Sequence, residues 1–217
     1  MYAKEKGVLQ GLSKDMNERQ KTQAEVRLAT LEDAERLLEI YRYYVENTAI
    51  TFEYETPTLK EFQGRMSSIM EKYPYLVAVQ GGRIVGYAYA GAFHPRAAYH
   101  WASEVTIYLD KDARKTGLGR LLYEHLEECL KKMGILNLYA CIGYPETEDE
   151  YLTANSARFH EHMGYHLVGT FQNCGYKFQH WYHMIFMEKM IGEHVTGQKE
   201  VTWFPELGMA WKEQPRF

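Results

Sequence analysis

Val105-Thr106-Ile107-Tyr108-Leu109-Asp110-Lys111-Asp112-Ala113-Arg114-Lys115-Thr116-Gly117-Leu118-Gly119-Arg120 passes from a β-strand, through a turn and a glycine-bearing loop, into an amphipathic helix. The strand, Ser103–Leu109, alternates: Val105, Ile107 and Leu109 share one face, and Glu104, Thr106 and Tyr108 the other. The helix carries Leu118, Leu121, Leu122, Leu126, Cys129, Leu130 and Met133, a stripe at i, i+3, i+4 spacing, and Gly134 ends it. Gly117 and Gly119 let the backbone approach a ligand, and the first turn of the helix presents unpaired N–H groups to the same loop. Arg114, Lys115 and Arg120 add positive charge. A strand–glycine loop–helix of this kind predicts a site for a pyrophosphate-bearing cofactor.

Toward the N-terminus, Val26–Ala29 reads as a strand, and Thr30 as the N-cap of a helix through Leu37, Leu38, Tyr41 and Val45, with Asp33 three residues on. A loop through Thr51–Pro57 leads to a helix over about 58–72. Two strands, 76–80 and 84–90, flank the hairpin signal Gly81-Gly82. Beyond Gly134, residues 135–142 form an apolar strand, followed by an acidic loop and a short helix stopping at Gly164. Strands near 165–173 and 181–190 close the domain. The order β-α-α-β-β-β-α-β-α-β-β predicts an α/β (α+β) domain over 25–191, with helices flanking a mixed sheet. Residues 1–24 form a polar extension. Residues 192–217 form a tail whose Trp203, Phe204, Pro205 and Trp211 are expected to pack on the domain or on a second subunit.

The bulk properties narrow the function class. A net charge of −4 argues against a general nucleic-acid binder. No run approaches the roughly 18 apolar residues of a membrane span, and the N-terminus carries no signal-peptide core. Cys129, Cys141 and Cys174 are scattered and odd in number, which points to a reducing cytoplasm. Cys129 and Cys141 lie in core-like patterns, so neither reads as a nucleophile. His160, His162, His180 and His183, with Cys174, suggest no metal site, because His180 and His183 fall on opposite faces of a strand.

Arg114-Lys115-Thr116-Gly117-Leu118-Gly119, between strand and helix, resembles the acyl-CoA loop (R/Q-x-x-G-x-G/A) of the GNAT N-acetyltransferase superfamily. His160-Glu161-His162-Met163-Gly164-Tyr165 is similar to that superfamily's later helix-to-strand junction. Arg96-Ala97-Ala98-Tyr99-His100-Trp101, Glu104, Phe159-His160-Glu161 and Gly175-Tyr176-Lys177 resemble the phosphinothricin acetyltransferase branch. The resemblance covers roughly 25–190 and implies the GNAT fold, with a mostly antiparallel central sheet. It also implies direct transfer of the acetyl group of acetyl-CoA to a small amine, and a homodimer.

By that resemblance Glu104 is the general base that takes a proton from the amine. His160 stands where many members carry a tyrosine; it either donates a proton to the departing thiolate as imidazolium or only binds the cofactor. Backbone groups of Ile107, Tyr108 and Leu109 should pair with the pantetheine arm, and Lys115, Thr116, Gly117, Leu118, Gly119 and Arg120 should hold the pyrophosphate. The superfamily's pantetheine-contacting asparagine falls at Thr153, whereas the chain has Asn155 two residues later, beside Ser156. Phe52, Arg96, Tyr99 and Thr106 are the expected acceptor contacts, with Arg96 matched to an acidic group. The segment Phe178–His183 lacks the glycine and aspartate associated with the branch there. Phosphinothricin and methionine sulfoximine are the first acceptors the resemblance suggests. Acetylation of a protein N-terminus or lysine, and a non-catalytic acyl-CoA-binding module, are the alternatives.

Overall fold

A computed structural model of the chain describes residues 24–113 and 116–208. The elements follow in the order read from the sequence: β1 (Glu25–Leu28), α1 (Ala34–Asn47), α2 (Leu59–Met70), β2 (Tyr75–Gln80), β3 (Arg83–Ala92), β4 (Ala102–Leu109), α3 (Leu118–Met133), β5 (Asn137–Tyr144), α4 (Asn155–His162), β6 (His166–Lys177) and β7 (His180–Met190). The strands form one sheet in the order β1-β2-β3-β4-β5-β7-β6. Every neighbouring pair is antiparallel except β4 and β5. The β2–β3 turn has the two positive φ angles that favour glycine, 58° at Gly81 and 79° at Gly82.

Thr30 precedes a single 3₁₀ turn (Leu31–Asp33), and α1 starts only at Ala34. The Asp33 carboxylate accepts the Thr30 N–H at 2.8 Å and two guanidinium bonds from Arg27, at 2.7 and 2.8 Å, which ties the turn to the end of β1.

The alternation along β4 divides the molecule into two cores. Val105 faces the core that α3 builds through Leu122, Leu126, Leu130 and Met133 against Leu76, Ala88 and Leu138. Tyr108 faces the other, where Leu37, Tyr41, Phe62 and Met66 of α1 and α2 pack on Tyr75, Val77 and Tyr87. Each fully buried leucine on α3 contributes roughly 1.5–3 kcal/mol of transfer free energy. On β6 and β7, Leu167, Val168, Phe171, Tyr176 and Trp181 remain exposed.

Residues 192–208 pack along the domain, as the aromatic tail predicted. Thr202 N–H donates to the Met133 carbonyl at 3.0 Å, and Phe204 N–H to that of Lys72 at 2.9 Å. Trp203 sets its ring edge-on to Tyr73 (5.6 Å) and His100 (5.1 Å). Trp211 and residues 1–23 lie outside the described residues. Among the described residues no helix is long and apolar enough to cross a membrane.

Candidate active site

The parallel pairing of β4 with β5 lasts only from Ala102↔Asn137 to Glu104↔Tyr139. Beyond that point β4 stays paired to β3 as far as Leu109↔Gly86, while β5 runs on beside β7 as far as Tyr144↔His183. The two strands therefore part at Glu104. One edge of Val105–Leu109 has no strand partner among the described residues, so its amides are left for another hydrogen-bonding chain. A cleft of about 290 Å³ occupies the gap; Glu104, Thr106, Ile107 and Tyr108 line it on one side and Ala140–Gly143 on the other.

Glu104 stands where the strands diverge. It is half-buried, and burial raises its carboxyl pKa above the ordinary value while His94 pulls the other way. A carboxylate of raised basicity beside an open strand edge is suited to accept a proton from an amine. Thr106, on the same face, also lines the cleft, as does Tyr89.

His160 is buried. Its Nδ1 lies 2.7 Å from the Ser156 carbonyl, which can only accept, so Nδ1 carries the hydrogen. In the neutral ring Nε2 is then an acceptor, and the Tyr123 hydroxyl donates to it at 3.0 Å. Burial pushes the imidazole down to about 4 and raises the Tyr123 hydroxyl. Burial thus disfavours the imidazolium that the sequence offered as a thiolate acid. Tyr123, which lines the cleft, is a site residue the sequence reading missed. Its signal was available: a lone hydroxyl beside the apolar stripe of α3, which needs a partner when buried.

The glycine loop divides between two roles. Gly117 has φ 85° and ψ −5°, a left-handed cap before α3, and the first turn of α3 contains no acidic residue. Among the described residues the leading N–H groups of that turn have no backbone partner, an arrangement suited to an anion. Gly119 serves packing: a Cβ there would meet the Phe159 ring at 3.0 and 3.2 Å. The Thr116 hydroxyl is committed to the Ala113 carbonyl at 2.7 Å, and Arg120 is exposed beside Glu124. Arg114 and Lys115 lie outside the described residues.

Several expected contacts stand elsewhere. Leu109 does not line the cleft; its carbonyl accepts the Tyr44 hydroxyl at 2.5 Å. Ser156 lines the cleft, whereas Asn155 is exposed and accepts from Arg158 at 3.0 Å. Thr153 Oγ1 accepts the Asn155 N–H at 3.4 Å, and Thr153 does not line the cleft. Arg96 and Tyr99 are also missing from its walls. Arg96 is exposed and precedes the 3₁₀ turn Ala97–Tyr99, and Tyr99 lines a second cleft instead. At the end of this loop the Trp101 indole donates to the Lys199 carbonyl at 2.8 Å, which ties it to the C-terminal segment. Cys141 is exposed and lines the cleft, correcting the core reading, because β4 no longer covers β5 there. Partial desolvation by the cleft walls and the nearby Glu104 push its thiol up to about 11, which favours the protonated form.

Phe52 does line the cleft. Its ring sits where a Cβ of Gly175 would be, 2.3 to 2.7 Å from three ring atoms, and stacks at 6.4 Å on Tyr182. The loop carrying it is clamped by Lys177, a buried side chain whose Nζ donates to the Val45 carbonyl at 2.8 Å and the Thr51 carbonyl at 2.9 Å. Burial lowers this ammonium to about 8. The histidines considered for a metal have separate partners: His180 pairs with Asp149 at 3.1 Å, and His183 accepts the Asn173 N–H at 2.9 Å.

The match to the family model of the GNAT acetyltransferase domain spans residues 26–186. The chain is 33% identical over 165 residues to phosphinothricin N-acetyltransferase of Streptomyces viridochromogenes, covering 76% of this chain and 86% of that protein. It is 30% identical over 168 residues to an L-methionine sulfoximine/L-methionine sulfone acetyltransferase of Pseudomonas aeruginosa, covering 76% and 93%. Among solved structures, a GNAT superfamily phosphinothricin acetyltransferase from Sinorhizobium meliloti in complex with AcCoA superposes with a TM-score of 0.74 at 31% identity, covering 83% of this chain and 98% of that one.

Proposed function

This chain belongs to the GNAT acetyltransferase family and is an acetyl-CoA-dependent N-acetyltransferase, and from that premise we propose that its acceptor is the amine of a small amino acid or amino-acid analogue, with Glu104 as general base. The observation that carries the proposal is the position of Glu104, a half-buried carboxylate of raised pKa at the point where β4 loses its partner strand. Relatives that act on phosphinothricin and on methionine sulfoximine support an acceptor of that kind.

Acetyl-CoA supplies the thioester whose acetyl carbon bonds to the amine nitrogen as CoA departs. The residues present suit it: the open edge of β4 at Ile107 and Tyr108 offers amides to the pantetheine arm, and the first turn of α3 offers N–H groups to the pyrophosphate. An ammonium has no lone pair, so Glu104 takes its proton before the new bond forms. Neither ring nitrogen of His160 has a proton to give, because its one hydrogen is committed to Ser156. His160 is therefore a positioning residue that orients the Tyr123 hydroxyl on the cleft wall. The exposed apolar side chains of β6 and β7 support a homodimer, and free cysteines with no membrane-spanning helix among the described residues support a cytoplasmic location.

Thiol release from acetyl-CoA across phosphinothricin, methionine sulfoximine, the amino acids and N-terminal peptides tests the acceptor class. Turnover of the first three groups and not of peptides is expected; turnover confined to peptides would refute it.

A further inference from the structure

A second cleft, of about 310 Å³, lies further back along the same pair of strands. Ala102, Asn137 and Tyr139 form its floor. Side chains alternate along a strand, so Ala102 shares the face of Glu104, and Tyr139 stands directly opposite Glu104 in the parallel register. The floor thus begins one residue pair from the proposed base, roughly 7 Å along β4. Phe93, stacked on Tyr139 at 4.2 Å and 22°, lines the second cleft with it.

The outer wall is His194, Val195 and Gln198, beyond the part of the chain that the family model matches. That wall is anchored rather than loose: His194 Nε2 lies 2.7 Å from Asn137 Oδ1, and the Trp101 indole holds the Lys199 carbonyl. The lining is aromatic and aliphatic, with neutral amides, and contains no Asp, Glu, Lys or Arg. A charged group entering it would lose hydration without gaining a counter-ion, whereas a flat uncharged ring would be covered on several sides.

We propose that this cleft, built by the C-terminal segment, holds an uncharged aromatic side group of the acceptor while the acceptor nitrogen lies at Glu104. The preferred acceptor is then an arylalkyl amine or aromatic amino acid, whose few bonds between nitrogen and ring match the spacing of the clefts. This assignment rests on the acetyltransferase reading of the Glu104 cleft.

The test uses Val195→Trp, which fills the cleft from an exposed position. Binding is measured by calorimetry, and acetylation by thiol release, with 2-phenylethylamine and n-propylamine as probes. The variant is expected to weaken 2-phenylethylamine binding and kcat/KM about tenfold or more. Its n-propylamine kinetics and acetyl-CoA affinity should match wild type, which also shows that it is folded. Equal effects on both amines, or none on 2-phenylethylamine, overturn the aromatic cleft. Val195-dependent binding of 2-phenylethylamine with no acetylation of any amine overturns instead the acetyltransferase reading, and with it the acceptor assignment.

Discussion

Acid should strike this protein at His160. Burial moves the imidazole from its ordinary 6.5 to about 4, equivalent to roughly 3 kcal/mol of preference for the neutral ring. Its folded value lies below its unfolded one, so between those two pH values the unfolded chain holds a proton that the folded chain does not. Stability therefore rises with pH across the window from about 4 to 6.5; the penalty is fully present below it and gone above it. At pH 5 the linkage amounts to about 2 kcal/mol. Carboxylates such as Asp33, held low by Arg27, and Asp110, held low by the Asp112 N–H and Arg36, also lose their contribution in acid, so the comparison needs a variant. Urea unfolding at pH 5 and 7 for wild type and His160→Gln should show the variant losing about 2 kcal/mol less on acidification, although it is less stable at pH 7. Imidazole resonances of the folded protein supply a direct reading. Titration of His160 near 6.5, or equal acid sensitivity in the two proteins, would refute both the buried neutral ring and its positioning role.

Two further outcomes follow from the acceptor loop. Lys177→Met strands the Val45 and Thr51 carbonyls; a loss of about 1–3 kcal/mol in urea melts is expected, with acceptor KM rising more than acetyl-CoA KM. Gly175→Ala drives the Phe52 ring from its seat, at a cost of about 1–3 kcal/mol, and should raise acceptor KM while kcat changes little. Unchanged steady-state kinetics in both variants would show that this loop does not shape the acceptor site.

The segment from β4 to α3 was legible because two local periodicities, one of two residues and one of 3.6, meet at glycines with a definite backbone task. Gly117 performs that task, with its left-handed φ. Gly119 was read as room for a ligand, and the group it admits is Phe159, forty residues on, which no local pattern reveals. Cys141 was misread for a related reason: Leu136–Ile142 looks like a strand buried on both faces, and only the parting of β4 from β5 opens one of them. Arg96 and Tyr99 sit in a loop without periodicity, and no local pattern reveals that its last residue, Trp101, bonds to Lys199. The protonation state of His160 depends on burial and on two partners in different helices, so its identity was readable and its charge was not.

The proposed chemistry turns on one carboxylate, that of Glu104. The most direct measurement is kcat for thiol release by Glu104→Gln against wild type from pH 4 to 9, with acetyl-CoA affinity measured alongside. Only the ionised carboxylate accepts a proton, so wild-type activity should fall in acid as Glu104 is protonated, and burial moves that fall above the pH of an ordinary carboxylate. The variant should bind acetyl-CoA normally, lose roughly 10²–10⁴-fold in kcat, and lack that ionisation. A Glu104→Gln enzyme that keeps full kcat across the range would contradict the account.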